Sequence, residues 1–247
     1  MRLFPLSHRI ARGDVSYLAI ESTNNHGRTW RDSRGLVLVE FALVVAVYVA
    51  RQHHILKVSA TPYLLLLAWI SLRLRGVQWR QIGFTRYRTW KMTLLLGIVC
   101  GVGLELFDLF GKQPFLTRLL GKPPDLSNFP AVRGNLKLAL VMIALIWILA
   151  ALGEELVYRG YLMNRVADLG SRTRTAWIVS LFLTSAVFGF SHYQQGLTGI
   201  IEEGSDGLIL GWMYLACRSN LAVPIVAHGV CDTIDIALLF LGKYPGL

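Results

Sequence analysis

Charge is what this sequence is short of. Of 247 residues, only 16% are Asp, Glu, Lys or Arg, while 54% are hydrophobic. An ordinary soluble domain carries about 25% charged residues. That balance excludes a compact water-soluble monomer and predicts a polytopic membrane protein. Cysteine is scarce as well. Cys100, Cys217 and Cys231 have no spacing that suits a zinc knuckle or a disulfide framework, so reduced thiols are expected. The first 34 residues lack the apolar core of about 7–15 residues that a cleavable signal needs. The first long apolar run, from Gly35, is therefore expected to stay as an anchor. Internal repeats, low-complexity tracts and a soluble stretch long enough for a separate domain are missing too. No serine-histidine-acid arrangement is evident.

The charge that is present is lopsided, with 25 basic against 15 acidic residues and a net charge of +10. So basic a chain first suggests nucleic acid. Here the bases sit in tails and loops between apolar runs, a pattern that fits anionic head groups and the positive-inside bias of cytoplasmic loops. Membrane lipids are thus the expected partner, and no nucleic acid. The N-terminal tail holds Arg2, Arg9, Arg12, Arg28, Arg31 and Arg34. The 73–91 loop holds Arg73, Arg75, Arg80, Arg86, Arg88 and Lys91 with no acid. This loop is predicted to face the cytoplasm, and the N-terminus with it, in a protein of the cell membrane. Spanning length is about 20 apolar residues. The pattern predicts an all-α bundle of about seven transmembrane helices, at 35–51, 54–72, 92–110, 136–160, 175–195, 204–217 and 221–242.

An ionisable group at the centre of a spanning helix costs at least about 2.5–3.5 kcal/mol on insertion scales, so each is a functional candidate. They concentrate in three places. The first is Glu154-Glu155-Leu156-Val157-Tyr158-Arg159. Glu155 and Arg159 stand four apart and can pair on one helix face. Glu154 lies about 100° round an α-helix from Glu155, so one acid is neutralised and one is left free. The second is Phe188-Gly189-Phe190-Ser191-His192. The third is His228-Gly229-Val230-Cys231-Asp232, in which His228 and Asp232 stand four apart. There the carboxylate either orients the imidazole or shares a metal with it. A helical hairpin turning near Thr173 places Glu154 and His192 at one depth, because each is 19 residues from the turn. Among the other acids, Glu40, Glu105, Asp108 and Asp235 either line a cavity or pair with loop arginines. Glu202, Glu203 and Asp206 fall in a Gly-rich interruption and form either a flexible acidic mouth or a solvated turn, of which the turn is favoured.

Together the three groups resemble the CPBP family of CAAX proteases and bacteriocin-processing (Abi) enzymes. Its motifs are Glu-Glu-x-x-x-Arg, Phe-x-x-x-His and His-x-x-x-Asn/Asp, in that order on three helices. They stand here as Glu154-Glu155-x-x-x-Arg159, Phe188-x-x-x-His192 and His228-x-x-x-Asp232, over about residues 135 to 245. The resemblance divides the chain into a basic tail (1–34), N-terminal transmembrane helices and loops (35–134), and a catalytic bundle (135–247). It implies an intramembrane endopeptidase acting on a membrane protein or peptide, lipidated in the CAAX case.

By that resemblance Glu154 is the general base on the attacking water, helped by His192. His228 and Asp232 stabilise the oxyanion or hold a metal, and Glu155 and Arg159 are the supporting pair. If the enzyme is a metallopeptidase, a divalent ion such as zinc would take His192, His228 and Asp232 as ligands. One departure bears on this choice. CAAX-type members usually carry Asn at the position of Asp232. An Asn amide donates a hydrogen bond to an oxyanion, whereas an ionised Asp only accepts. The alternatives left open by the residues are a non-catalytic peptide-binding or bacteriocin-immunity protein, a transpeptidase using Cys231, and a small ion transporter.

Overall fold

The structure is a computed structural model that describes residues 33–127 and 132–245. The expected basic tail lies outside the described residues except for its last two. All regular elements among the described residues are helical. They are α1 (Arg34–Gln52), α2 (Thr61–Arg75), α3 (Trp90–Phe107), α4 (Gln113–Leu120), α5 (Leu136–Leu145), α6 (Met163–Leu169), α7 (Arg174–Ser191), α8 (Gly196–Ala216) and α9 (Ala222–Leu241). Two of the junctions are continuous. A wide π turn at Asp108–Lys112 joins α3 to α4, and π turns at Ile146–Glu154 and Leu156–Leu162 join α5 to α6.

Five helices are long and apolar enough to cross a membrane: Arg34–Gln52, Trp90–Leu120, Leu136–Leu169, Arg174–Ser191 and Ala222–Leu241. Two of the seven expected runs differ. The 54–72 run becomes α2, which has only 15 residues. The 204–217 run is the second half of α8, and Glu202, Glu203 and Asp206 lie in the middle of that same helix. The expected solvated turn at those acids is therefore not formed. Glycine lowers helix propensity, yet Gly199, Gly204 and Gly207 sit inside α8, where tertiary packing overrides it. Leu38 and Val45 on α1, Val99 on α3, Leu140 on α5 and Phe182 on α7 are all exposed. Apolar surface this extensive on helices of spanning length fits contact with lipid. This is an integral membrane protein.

Buried charge is paired rather than scattered. Glu40 near the start of α1 takes hydrogen bonds from Ser71 (2.6 Å) and from Nε and Nη2 of Arg75 (3.1 and 3.0 Å) near the end of α2. These contacts set the two helices antiparallel, so the tight His53-His54 break is the turn of a hairpin. The basic 73–91 loop is docked on the bundle. Tyr214 of α8 donates to the Ile82 carbonyl (3.1 Å), and the Leu221 amide donates to Gly83 (2.9 Å).

Two close helix approaches position the site. A Cβ on Gly101 would come within 2.4 Å of the Ala227 carbonyl, so α3 lies directly on α9. A Cβ on Gly189 would come within 2.4 Å of the Ile200 carbonyl, which brings the end of α7 against α8.

Candidate active site

The three sequence groups meet in one cavity of about 220 Å³, lined in part by Glu154, Phe188, His192, His228 and Asp232. Glu154 ends the first π turn and Glu155 follows it. Wide turns of this kind occur often at functional sites. Glu154 is half-buried, and its near polar neighbour is Thr61 at the start of α2, whose Oγ1 lies 3.4 Å from Oε1. No arginine or lysine pairs with Glu154 among the described residues, so the division into one paired acid and one free acid holds.

Glu155 does more than the sequence suggested. It is fully buried, and its Oε1 accepts from Nη1 of Arg159 at 2.6 Å and from Nδ1 of His228 at 3.0 Å. The same acid therefore closes the ion pair and orients the imidazole of α9. Arg159 reaches on to the Gly207 carbonyl (3.1 Å) and stacks 4.8 Å from the centre of the Phe188 ring. Sequence spacing left Asp232 either to orient His228 or to share a metal with it; in the structure it stands 3.6 Å from Nε2 of His228, beyond hydrogen-bonding distance. With Nδ1 held by Glu155, Nε2 is the nitrogen turned toward Asp232. A contact between α9 and a residue 73 positions earlier leaves no mark in local spacing, which is why it was missed.

His192 follows the last residue of α7, where the helix ends. Its Nδ1 lies 3.0 Å from the Phe188 carbonyl, an acceptor only. Nδ1 thus carries a proton, and in the neutral ring Nε2 is a free acceptor. Phe188 stands between the two imidazoles, its ring centre 4.9 Å from that of His192 and 6.2 Å from that of His228. A second feature went unread in the sequence: Tyr48 of α1 hydrogen-bonds Tyr158, whose ring meets Phe188 edge-on.

His192 lies outside the spanning segments. Burial alone lowers its pKa, but the carboxylates of Glu203 and Glu154 outweigh burial and lift it above the ordinary value. Glu203 Oε2 is 3.9 Å from Nε2. Glu203→Gln removes the negative charge with the larger effect, disfavours the imidazolium and lowers this pKa. The limb of the pH–rate profile governed by His192 is then expected to move to lower pH. An unmoved profile would detach His192 from the pH dependence.

A zinc ion needs donors converging at about 2 Å from one point. Among the described residues, His192, His228 and Asp232 are not a set whose ligand atoms all lie within 4.8 Å of one another. As they stand, they do not fit the expected ion. Cys231, the alternative nucleophile, donates to Glu105 (3.0 Å) and has no imidazole among its hydrogen-bond partners in the described residues.

Residues 136–234 match the family model described as type II CAAX prenyl endopeptidase Rce1-like. This segment, less than half of the chain, is similar to the CAAX protease family. The match runs from the first turn of α5 to two residues past Asp232, so it includes Glu154, Glu155, Arg159, His192, His228 and Asp232. The CAAX protease frame therefore takes in the whole motif set, while α1 to α4 lie outside it. No curated protein and no solved structure matches the chain.

Proposed function

We propose that this protein is a glutamate-dependent intramembrane endopeptidase that hydrolyses a peptide bond of a membrane-associated protein or peptide. The observation that carries the reading is the convergence of Glu154, His192, His228 and Asp232, from three separate helical segments, on one cavity. Peptide hydrolysis needs an activated water, a stabilised oxyanion and a proton for the leaving amine. Glu154 takes the proton from water. The free Nε2 of His192 accepts the second hydrogen of that water and aligns it. His228, as an imidazolium protonated on both nitrogens, donates from Nε2 to the carbonyl oxygen as negative charge develops there. Glu155 holds Nδ1 of the same ring, and the Asp232 carboxylate, 3.6 Å from Nε2, attracts the ring by charge without a hydrogen bond. Asp232 can therefore serve where an Asn would donate, by keeping the donor imidazole in place. Glu154 finally returns its proton to the departing amine. No step in this scheme requires a metal.

The walls of the cavity mix apolar residues such as Leu104, Met142 and Ile146 with carboxylates. A substrate tethered to the bilayer by an apolar group suits such a site. We place the 73–91 loop and the N-terminus on the cytoplasmic side of the plasma membrane, because that loop carries bases without acids.

The test uses the full chain in liposomes with a peptide ending in Cys-aliphatic-aliphatic-X, prenylated or bare. Release of the last three residues, read by mass spectrometry, is expected from the prenylated peptide. Release from both peptides would remove the lipid from recognition. Absence of any product on either, with folded protein in the bilayer, would favour the peptide-binding or immunity alternative.

A further inference from the structure

The cavity holds a second polar cluster that the proposed reaction does not use. Glu105 at the end of α3 and Asp108 in the π turn that follows face Cys231 of α9. One ligand atom from each lies within 4.8 Å of the other two. All three are buried, with relative exposures of 2%, 9% and 8%. The Cys231 thiol donates to Oε2 of Glu105 at 3.0 Å, whereas Oε1 of Glu105 has no hydrogen-bond partner among the described residues. Glu105 nonetheless lines the cavity. Asp235, one helical turn beyond Cys231, adds another carboxylate against Glu105. A buried acid oxygen aimed at a cavity without a donor, beside two further acids and a thiol, calls for positive charge.

Lys112 does not supply it. Its ammonium lies 2.6 Å from Oδ1 of Asp108 and also hydrogen-bonds Asp206 of α8. That leaves Oδ2 of Asp108 and the unpaired oxygen of Glu105. Soft thiolate mixed with carboxylate selects zinc-like ions over magnesium or calcium.

We propose that Glu105, Asp108 and Cys231 bind a single zinc-like divalent cation that ties α3 to α9 beside the catalytic residues. Binding forms a metal–sulfur bond and releases the thiol proton to solvent. Two carboxylates and the thiolate fill three positions, and water or Asp235 takes the fourth. The donors are held in place beforehand, because Gly97 and Gly101 let α3 lie directly against Val226 and Ala227 of α9. The cation site stands whether or not the protein is a peptidase, and Glu105 and Asp108 lie outside the segment that matches the protease family.

The competing account is a proton shared among Glu105, Asp235 and the thiol. The full chain is purified in detergent, stripped with chelator, equilibrated with zinc and desalted, and its metal content is measured. A single equivalent of zinc is expected in the wild type and in Glu154→Gln and His192→Ala. Glu105→Gln and Cys231→Ser should each lose at least tenfold of the bound metal at limiting zinc. Cadmium loading should give a thiolate-to-metal absorption band in a background where Cys100 and Cys217 are serine. That spectrum decides the matter even if the Glu105 variant fails to fold. Absence of the band, or zinc content indifferent to Glu105→Gln, overturns the site in favour of the shared proton. Zinc lost with His192→Ala but kept with Cys231→Ser overturns it too, and would put the ion among the catalytic residues and sink the metal-free mechanism with it.

Discussion

Glu154→Gln is expected to lower kcat by about 10²–10⁴-fold, the range attributed to a positioned general base, while KM and thermal stability stay close to wild type. The amide keeps the shape of the side chain but cannot take a proton from water. Little in the fold depends on the charge. Glu154 has no ion-pair partner among the described residues, and its contact with Thr61 is long at 3.4 Å, so an amide can keep it. Tripeptide release in liposomes gives the rate, and a melting curve in detergent gives the stability. Retention of more than a tenth of the wild-type kcat would remove Glu154 from the reaction. A rate loss accompanied by a much lower melting temperature would instead mean that the acid is structural.

The selectivity of that expectation rests on two adjacent acids having different surroundings. Local spacing already separated them. Glu155 and Arg159 stand four apart, the geometry of an intrahelical pair, and the structure forms that pair at 2.6 Å. Glu154 and His192 share a depth for the same local reason. The α6–α7 turn falls at residues 170–173, so Glu154 and His192 run back from it by similar distances and reach one cavity. The reading stopped where a fact depended on helices far apart in the chain. That His228 leans on Glu155 rather than on Asp232 is a packing outcome between α9 and the α5–α6 segment. It was also hidden by an assumption of regular α geometry through Glu154, where the structure has π turns.

Charge count misled at α8. Three acids in a Gly-rich interruption read as a turn in water, with an acidic mouth as the alternative. The structure keeps the helix and turns all three acids into the cavity, where Lys112 pairs with Asp206. The composition rule held, since the acids avoid lipid, but the means was a polar interior face and not a break. The same glycines have a positive role there. Gly204 lies against Gly189 of α7, and the Gly207 carbonyl accepts from Arg159, so the small residues allow α8 to close one wall of the site.

Arg159→Met should destabilise the protein by about 3–5 kcal/mol, the usual cost of removing one partner from a buried ion pair. Glu155 would keep a charge in a fully buried position with only His228 to answer it, and the Gly207 carbonyl would lose its donor. A large fall in melting temperature and in membrane yield is the expected reading; a loss under about 1 kcal/mol would mean that the pair is solvated after all. The double variant Glu155→Met, Arg159→Met separates folding from chemistry. Replacing a whole buried pair by apolar side chains is often neutral or stabilising, so stability should largely return. Activity should not, because the Nδ1 proton of His228 then has no acceptor and the ring is free to turn Nε2 away from the carbonyl oxygen. A stable double variant that still cleaves at the wild-type rate would show that His228 needs no partner on α5–α6. A stable one that does not cleave would establish Glu155 as the residue through which the ion pair of one helix sets the donor on another.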